Sequence, residues 1–255
     1  MLVKSVHMSV KVENVKFPSA GNTLLGRIYI PEGRAKKPAV AICHGYPGNT
    51  KNMDLAEELA LNGIVTLIFY YQGAWGSTGK YSLMSLETGA RDAVAYMRTL
   101  KYVDPKRIGL VSHSMGALPL TKAMSLDPTI KTGILMSPAD IAALASEEMI
   151  EGTAMWFTET AKGRLTGVTV KSMTGDLAEA LKRTNPVKLV AKIKAPLTVV
   201  VGTKDTQSTP ELCRRVYEAA NEPKKWALVE GADHDFTDHR IPMIKVVLER
   251  LKETL

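Results

Sequence analysis

The chain has only two cysteines, and neither stands at a disulfide-framework or metal-ligand spacing. Cys43 falls in an apolar strand-like run and Cys213 in a helix-like one, so both read as packed free thiols. The crowd of Asp233, His234, Asp235, Asp238 and His239 lacks a second ligand group, so no metal is expected. Long apolar runs are missing too: no segment approaches the ~20 residues of a membrane span. The start, Met1-Leu2-Val3-Lys4-Ser5-Val6-His7, lacks the apolar stretch of a signal peptide. A cytoplasmic protein without a membrane partner is therefore expected. No internal repeat or low-complexity tract is present. The glycine-rich loop from Tyr70 to Gly79 has neither Gly-Lys-Ser/Thr nor a dinucleotide spacing, so it reads as a scaffold loop and no cofactor is expected.

What is present is the composition of one globular domain: 255 residues, 45% hydrophobic and 23% charged. The net charge of +7 is spread along the chain, and its densest cluster, Arg34-Ala35-Lys36-Lys37, reads as a solvated loop before Pro38. No nucleic-acid motif accompanies it, so no nucleic-acid partner is expected.

Residues 10 to 17 and 24 to 30 flank the turn signal Ser19-Ala20-Gly21-Asn22, which predicts an antiparallel pair. Short apolar runs follow at Ala39 to Cys43, Ile64 to Tyr70, Arg107 to Ser112, Ile130 to Met136 and Pro196 to Gly202, with Trp226 to Glu230 last. Such runs suit a buried parallel sheet. Helical spacing lies between and after them at Met53 to Leu61, Leu86 to Leu100, Met115 to Ser125, Pro210 to Ala220 and Pro242 to Leu251. The alternation predicts an α/β fold: a mostly parallel central sheet, helices on both faces, functional groups in loops at the carboxyl ends of the strands. From about residue 139 to 188 the rhythm breaks, which predicts a small inserted cap in a single domain 1–255. Within it, helix is predicted at Ile141 to Ile150 and a short alternating segment at Val168-Thr169-Val170.

A strand, a sharp turn and a helix surround Ser112-His113-Ser114-Met115-Gly116-Ala117. Small residues two before and two after Ser114 let the backbones approach, the requirement of a nucleophile elbow. A serine hydroxyl needs a base to take its proton. His113 points away as a turn neighbour, so the expected base is His234, in the loop opened by Gly231 after the last strand. Asp205, just past the strand Leu197 to Val201, is the expected carboxylate that orients it, with Asp176 and Asp233 as rivals. The loop His44-Gly45-Tyr46-Pro47-Gly48 is expected to supply one oxyanion donor, the Tyr46 amide, and the elbow the other, the Met115 amide. His44 reads as structural.

Together with Trp75-Gly76-Ser77-Thr78-Gly79 and Gly202 to Asp205, these motifs resemble the α/β-hydrolase superfamily over most of the chain. Within it the chain is similar to the esterase and serine-aminopeptidase-like branch, which includes cinnamoyl (feruloyl) esterases with a comparable insertion. Two departures stand out: Ser112 where the elbow usually has glycine, and Gln72 where such loops often carry arginine. A prolyl-oligopeptidase propeller has no room here. The resemblance and the residues imply a serine carboxylesterase with a small-molecule ester substrate. The alternatives are an aminopeptidase or acyl-peptide hydrolase, with Glu147, Glu148, Glu151 and Glu159 as candidate partners of a substrate amine, and a non-catalytic binding protein on the same fold. Tyr46, Met149, Met155, Trp156 and Phe157 are candidate pocket residues. Oligomeric state is not legible.

Overall fold

A computed structural model describes residues 9–255; the Met1–His7 stretch, on which the expected lack of a signal peptide rests, lies outside them. Strands β1 (Val10–Ser19) and β2 (Asn22–Pro31) pair antiparallel across Ala20-Gly21, both at positive φ (45° and 76°). Two such residues make the turn whose twist suits a hairpin. β3 (Lys37–Cys43), β4 (Val65–Phe69), β5 (Val103–His113), β6 (Gly133–Met136), β7 (Leu197–Gly202) and β8 (Lys224–Val229) complete one eight-stranded sheet. Its order is β1-β2-β4-β3-β5-β6-β7-β8, with β2 and β4 antiparallel and every later pair parallel.

The strand runs are apolar throughout because both faces are covered. Side chains alternate between the faces. Val40, Ile42, Val111, Ile134 and Val200 pack with Leu55 and Leu59 of α1 (Met53–Leu61) on one side. Ala41, Leu110, Leu135 and Val199 pack on the other with Val94 of α2 (Leu86–Thr99) and Leu118 of α3 (Ala117–Leu126).

Between β6 and β7 run four helices: α4 (Ile141–Leu144), α5 (Ile150–Ala161), α6 (Val170–Arg183) and α7 (Pro186–Val190). Then α8 (Pro210–Ala219) joins β7 to β8, packing beside α7 with Val216 in the same core as α3, and α9 (Arg240–Thr254) closes the chain, packing Met243 and Val247 beside α1.

Two expectations in this stretch are corrected. The helix predicted over 141–150 stops after one turn, because Ala145 leaves helical geometry (φ −117°, ψ 23°). That exit keeps Ile141 and Ala145 buried and leaves Glu147 and Glu148 in solvent. Val168-Thr169-Val170 is not a strand but the start of α6. The Thr169 hydroxyl accepts from the Ser172 amide at 3.1 Å, while the Ser172 hydroxyl accepts from the Thr169 amide at 3.0 Å. This reciprocal cap satisfies amides the helix leaves unpaired and outweighs three residues of alternation.

Thr169→Ala is expected to lower stability by about 1 kcal/mol, read as a shifted urea midpoint; an unmoved midpoint would mean that the cap does not hold α6.

Candidate active site

Because β3, β5, β6, β7 and β8 run in one direction, their carboxyl ends share an edge of the sheet. Loops from β3, β5, β7 and β8, joined by α4 and α5, enclose a cavity of about 310 Å³. Gly45, Tyr46, Ser114, Met115, Gln207, Ser208 and His234 all line it.

Ser114 leaves β5 with φ at 53°, a left-handed conformation that serine seldom adopts, and opens the one-turn helix Ser114–Gly116. Crowding explains the small neighbours. A Cβ on Gly116 would stand 2.1 Å from the Cys43 carbonyl oxygen, and one on Gly45 would stand 3.0 Å from the Ser114 Cβ. Ser112 is fully buried, and its hydroxyl donates to the Ile134 carbonyl at 3.4 Å, which gives the oxygen a place between β5 and β6.

His234 and Asp205 meet directly. The His234 Nδ1 lies 2.9 Å from Asp205 Oδ2 and 3.1 Å from Oδ1. A carboxylate only accepts, so Nδ1 carries the proton and Nε2 is left as a lone-pair acceptor. The backbone amides of Gln207 and Ser208 also donate to Asp205 Oδ1, at 2.9 and 2.8 Å. Burial by itself would raise the Asp205 carboxyl, but its hydrogen bond and charge interaction with His234, the Ser137 side chain and the Ser208 amide hold it below its ordinary value. Among the described residues the Ser114 hydroxyl holds no hydrogen bond, so it is free to turn within the cavity it shares with His234.

The rival carboxylates are engaged elsewhere. Asp176 accepts from the Ser82 hydroxyl and the Leu83 amide, tying α6 to the segment before α2. Asp233 accepts from the Thr237 amide inside its own loop.

His113 does more than lean into the packing. Its Nε2 donates to the backbone carbonyl of His234 at 2.8 Å, so the elbow's own histidine clamps the loop that carries the other one. Burial, and the nearby His234 charge, lower the His113 pKa to about 4. His44 is likewise buried and lowered to about 4, its Nδ1 facing the Gly45 carbonyl at 2.7 Å. It ties the loop after β3 to itself, a structural role.

The amides of Tyr46 and Met115 make no backbone hydrogen bond among the described residues. Met115 is the second residue of its short helix, where no intrahelical carbonyl is within reach. Trp75, from the scaffold loop, donates its indole N–H to the Pro47 carbonyl at 2.8 Å. Gly48 (φ 93°) is required there: a Cβ would be 2.6 Å from that indole nitrogen. Gln72 turns away to donate to the Lys80 carbonyl at 3.1 Å.

On the opposite wall the Tyr46 phenol donates to the Phe157 carbonyl at 2.6 Å, and its ring stacks on Phe157 at 4.2 Å. Trp156 and Phe157 line the cavity as expected positions; Met149 and Met155 do not. The reason is helical periodicity. α5 buries Thr153, Ala154, Phe157 and Ala161, so Met155 falls on the far side, and Met149 stands exposed before the first turn. Glu147, Glu148, Glu151 and Glu159 are all exposed and none lines the cavity. Residues that the sequence reading missed are Asp140, Leu144, Thr160, Arg164, Leu212 and Asp235. Asp235 follows His234 in its loop; no motif surrounds the others, and only packing brings them to the site.

The family model described as "Serine aminopeptidase, S33" matches residues 34–178. The uncharacterized protein Rv2307c of Mycobacterium tuberculosis is 27% identical over 235 residues, covering 90% of this chain and 75% of that protein. The crystal structure of the alpha/beta hydrolase GrgF from Penicillium sp. sh18 matches with a TM-score of 0.77 at 19% identity, over 96% of this chain and 99% of that one. Est1E from Butyrivibrio proteoclasticus, solved with ferulic acid bound, matches with a TM-score of 0.74 at 22% identity, over 94% and 98%.

The two buried imidazoles also set a pH dependence. Between their folded values of about 4 and the ordinary 6.5 they are neutral when folded but protonated when unfolded. The unfolded state then binds more protons, so stability rises with pH across this window and is lost as pH falls through it. The loss is of the order of 3 kcal/mol per ring. Urea unfolding at pH 4.5, 5.5 and 6.5 should show that slope, flattened in His113→Gln; a level profile would refute it.

Proposed function

Because the chain belongs to the serine aminopeptidase S33 family and has the α/β-hydrolase fold, we propose that it is a carboxylesterase acting through an acyl-enzyme on Ser114. One observation carries this reading. His234, its tautomer set by the buried Asp205 behind it, lines the same cavity as a serine in a left-handed turn and the residues of two unpaired amides.

The chemistry follows from those atoms. Ser114 Oγ attacks the ester carbonyl while His234 Nε2 takes its proton. The carbonyl oxygen gains negative charge and is held by the N–H groups of Tyr46 and Met115. The tetrahedral intermediate collapses, the C–O bond to the alcohol breaks, and His234 returns its proton to the departing oxygen. Water, deprotonated by His234, then attacks the acyl-enzyme and releases the acid and Ser114. Asp205 stabilises the imidazolium at both stages.

We read residues 139–188 as a cap on a single domain, held over the site by the contact between Tyr46 and Phe157. A volume near 310 Å³ suits small or medium acyl esters. A cytoplasmic location fits the two buried free thiols. Among the described residues no helix is long and apolar enough to cross a membrane.

A second reading, an amide or aminopeptide hydrolase, is favoured by Asp140 and Asp235, two carboxylates that line the cavity and could meet a substrate amine. Asp140 is already paired with the Arg215 guanidinium at 2.5 Å, which leaves Asp235 as its main support.

Ser114→Ala should abolish hydrolysis of short p-nitrophenyl esters and labelling by a fluorophosphonate probe. Asp205→Asn should lower kcat by about 10⁴, the effect of losing the tautomer. Unchanged turnover in Ser114→Ala would remove the mechanism, and a native protein that never labels would favour a binding role. Faster cleavage of an aminoacyl anilide than of the matched ester would favour the second reading.

A further inference from the structure

Among the described residues, the cavity contains a cation with no acidic partner. Arg164 lines it just beyond α5, and its Nη1 donates to the Thr160 carbonyl at 3.0 Å. That carbonyl belongs to the last turn of α5, where backbone oxygens lack helical partners and a cation is favoured. The anchored guanidinium keeps its remaining donors free. Nearby acids are committed elsewhere: Glu159 pairs with Lys162, and Asp140 with Arg215.

The backbone at this point is tied from both sides. The Arg164 amide donates to the Ala161 carbonyl at 2.9 Å, and the Trp75 amide donates to the Arg164 carbonyl at 3.2 Å. Leu165 forms a bridge to Ala74 in the scaffold loop. Arg164 is therefore held against the loop that also supports Pro47, beside the expected oxyanion donors.

Asp140, Asp235 and Arg164 all line the cavity, and Asp140 is paired with Arg215. Asp235 sits in the loop of His234, accepting from the Thr50 hydroxyl at 2.5 Å, with Arg240 on its backbone carbonyl at 3.0 Å. Arg164 lies in the turn after α5, and the apolar Trp156 and Phe157 line the same cavity. Arg164 is itself exposed to solvent, so water partly screens a charge pair formed there, and directional hydrogen bonding has to select the anion. A guanidinium presents a planar fork that matches a carboxylate. The chain's net charge of +7 adds a long-range attraction for anions.

We propose that Arg164 is a specificity-determining residue that binds a carboxylate on the substrate, so that the preferred substrates are esters carrying a carboxylate on one arm. This rests on the serine hydrolase reading above, and the tests below separate the two.

The measurement is kcat/KM for matched pairs, one charged on the acyl arm (mono-4-nitrophenyl adipate against 4-nitrophenyl hexanoate), the other on the leaving arm (3-carboxyphenyl butyrate against 3-carbamoylphenyl butyrate). In at least one pair the anionic member should be preferred by about tenfold, mainly through KM. Arg164→Met should collapse that ratio, Arg164→Lys should retain part of it, and raising KCl should reduce it. Binding of monomethyl adipate to Ser114→Ala, followed by calorimetry, gives a readout independent of turnover; adding Arg164→Met should weaken it about tenfold. The proposal is overturned by equal rates in both pairs, by a ratio that survives Arg164→Met, or by a preference for a cationic aminoacyl ester, which would point to Asp235. Full turnover in Ser114→Ala would instead defeat the catalytic reading.

Discussion

At residue 116 the turn after β5 touches the end of β3 with no room for a side chain, the nearest carbonyl oxygen lying 2.1 Å from where a Cβ would be. That contact presses the Ser114 turn against the loop of Gly45 and Tyr46, so that a hydroxyl and two free amides face one cavity. The left-handed φ of Ser114 costs about 1–3 kcal/mol. It persists because β5 is paired on both sides, with β3 and β6, and cannot relax without breaking the sheet.

The loop that carries His234 is held by several independent anchors. Asp205 takes the His234 ring, His113 takes the His234 carbonyl, and Arg240 joins the Asp235 carbonyl to Asp54 and Asn52 at the start of α1. The anchors come from β7, β5 and the two helices on one face of the sheet. Each histidine near the site has one ring nitrogen against an acceptor, so the tautomers follow from the backbone and Asp205. Burial lowers the pKa of His113 and His44 to about 4, and each has a ring nitrogen committed to a backbone carbonyl, so both brace the loops beside the site.

Much of this was legible because the signals were local and strong. Apolar runs with helical stretches between them describe a doubly covered sheet, and the order Ser114, Asp205, His234 follows from each residue's place after a strand. The inserted helices were less legible. α6 has a weaker signal: Met173, Leu177 and Ala180 repeat at helical spacing, but the alternating Val168-Thr169-Val170 hides where the helix begins. Met155 stands beside Trp156 in the sequence yet faces away from the cavity, since neighbours on a helix are turned about 100° apart.

The sequence by itself determined the layered sheet, the tight turn at Ser114 and which residue types stand at the strand ends, because those depend on periodicity and on the size of near neighbours. Tertiary structure alone decided that His113 would brace the loop of His234, that the phenol of Tyr46 would reach α5, and that Arg164 would enter the cavity. These contacts join residues from 111 to 121 positions apart, or arise where a helix end meets a distant loop. No pattern along the chain encodes such meetings; the packing of distant segments at the carboxyl edge of the sheet creates them.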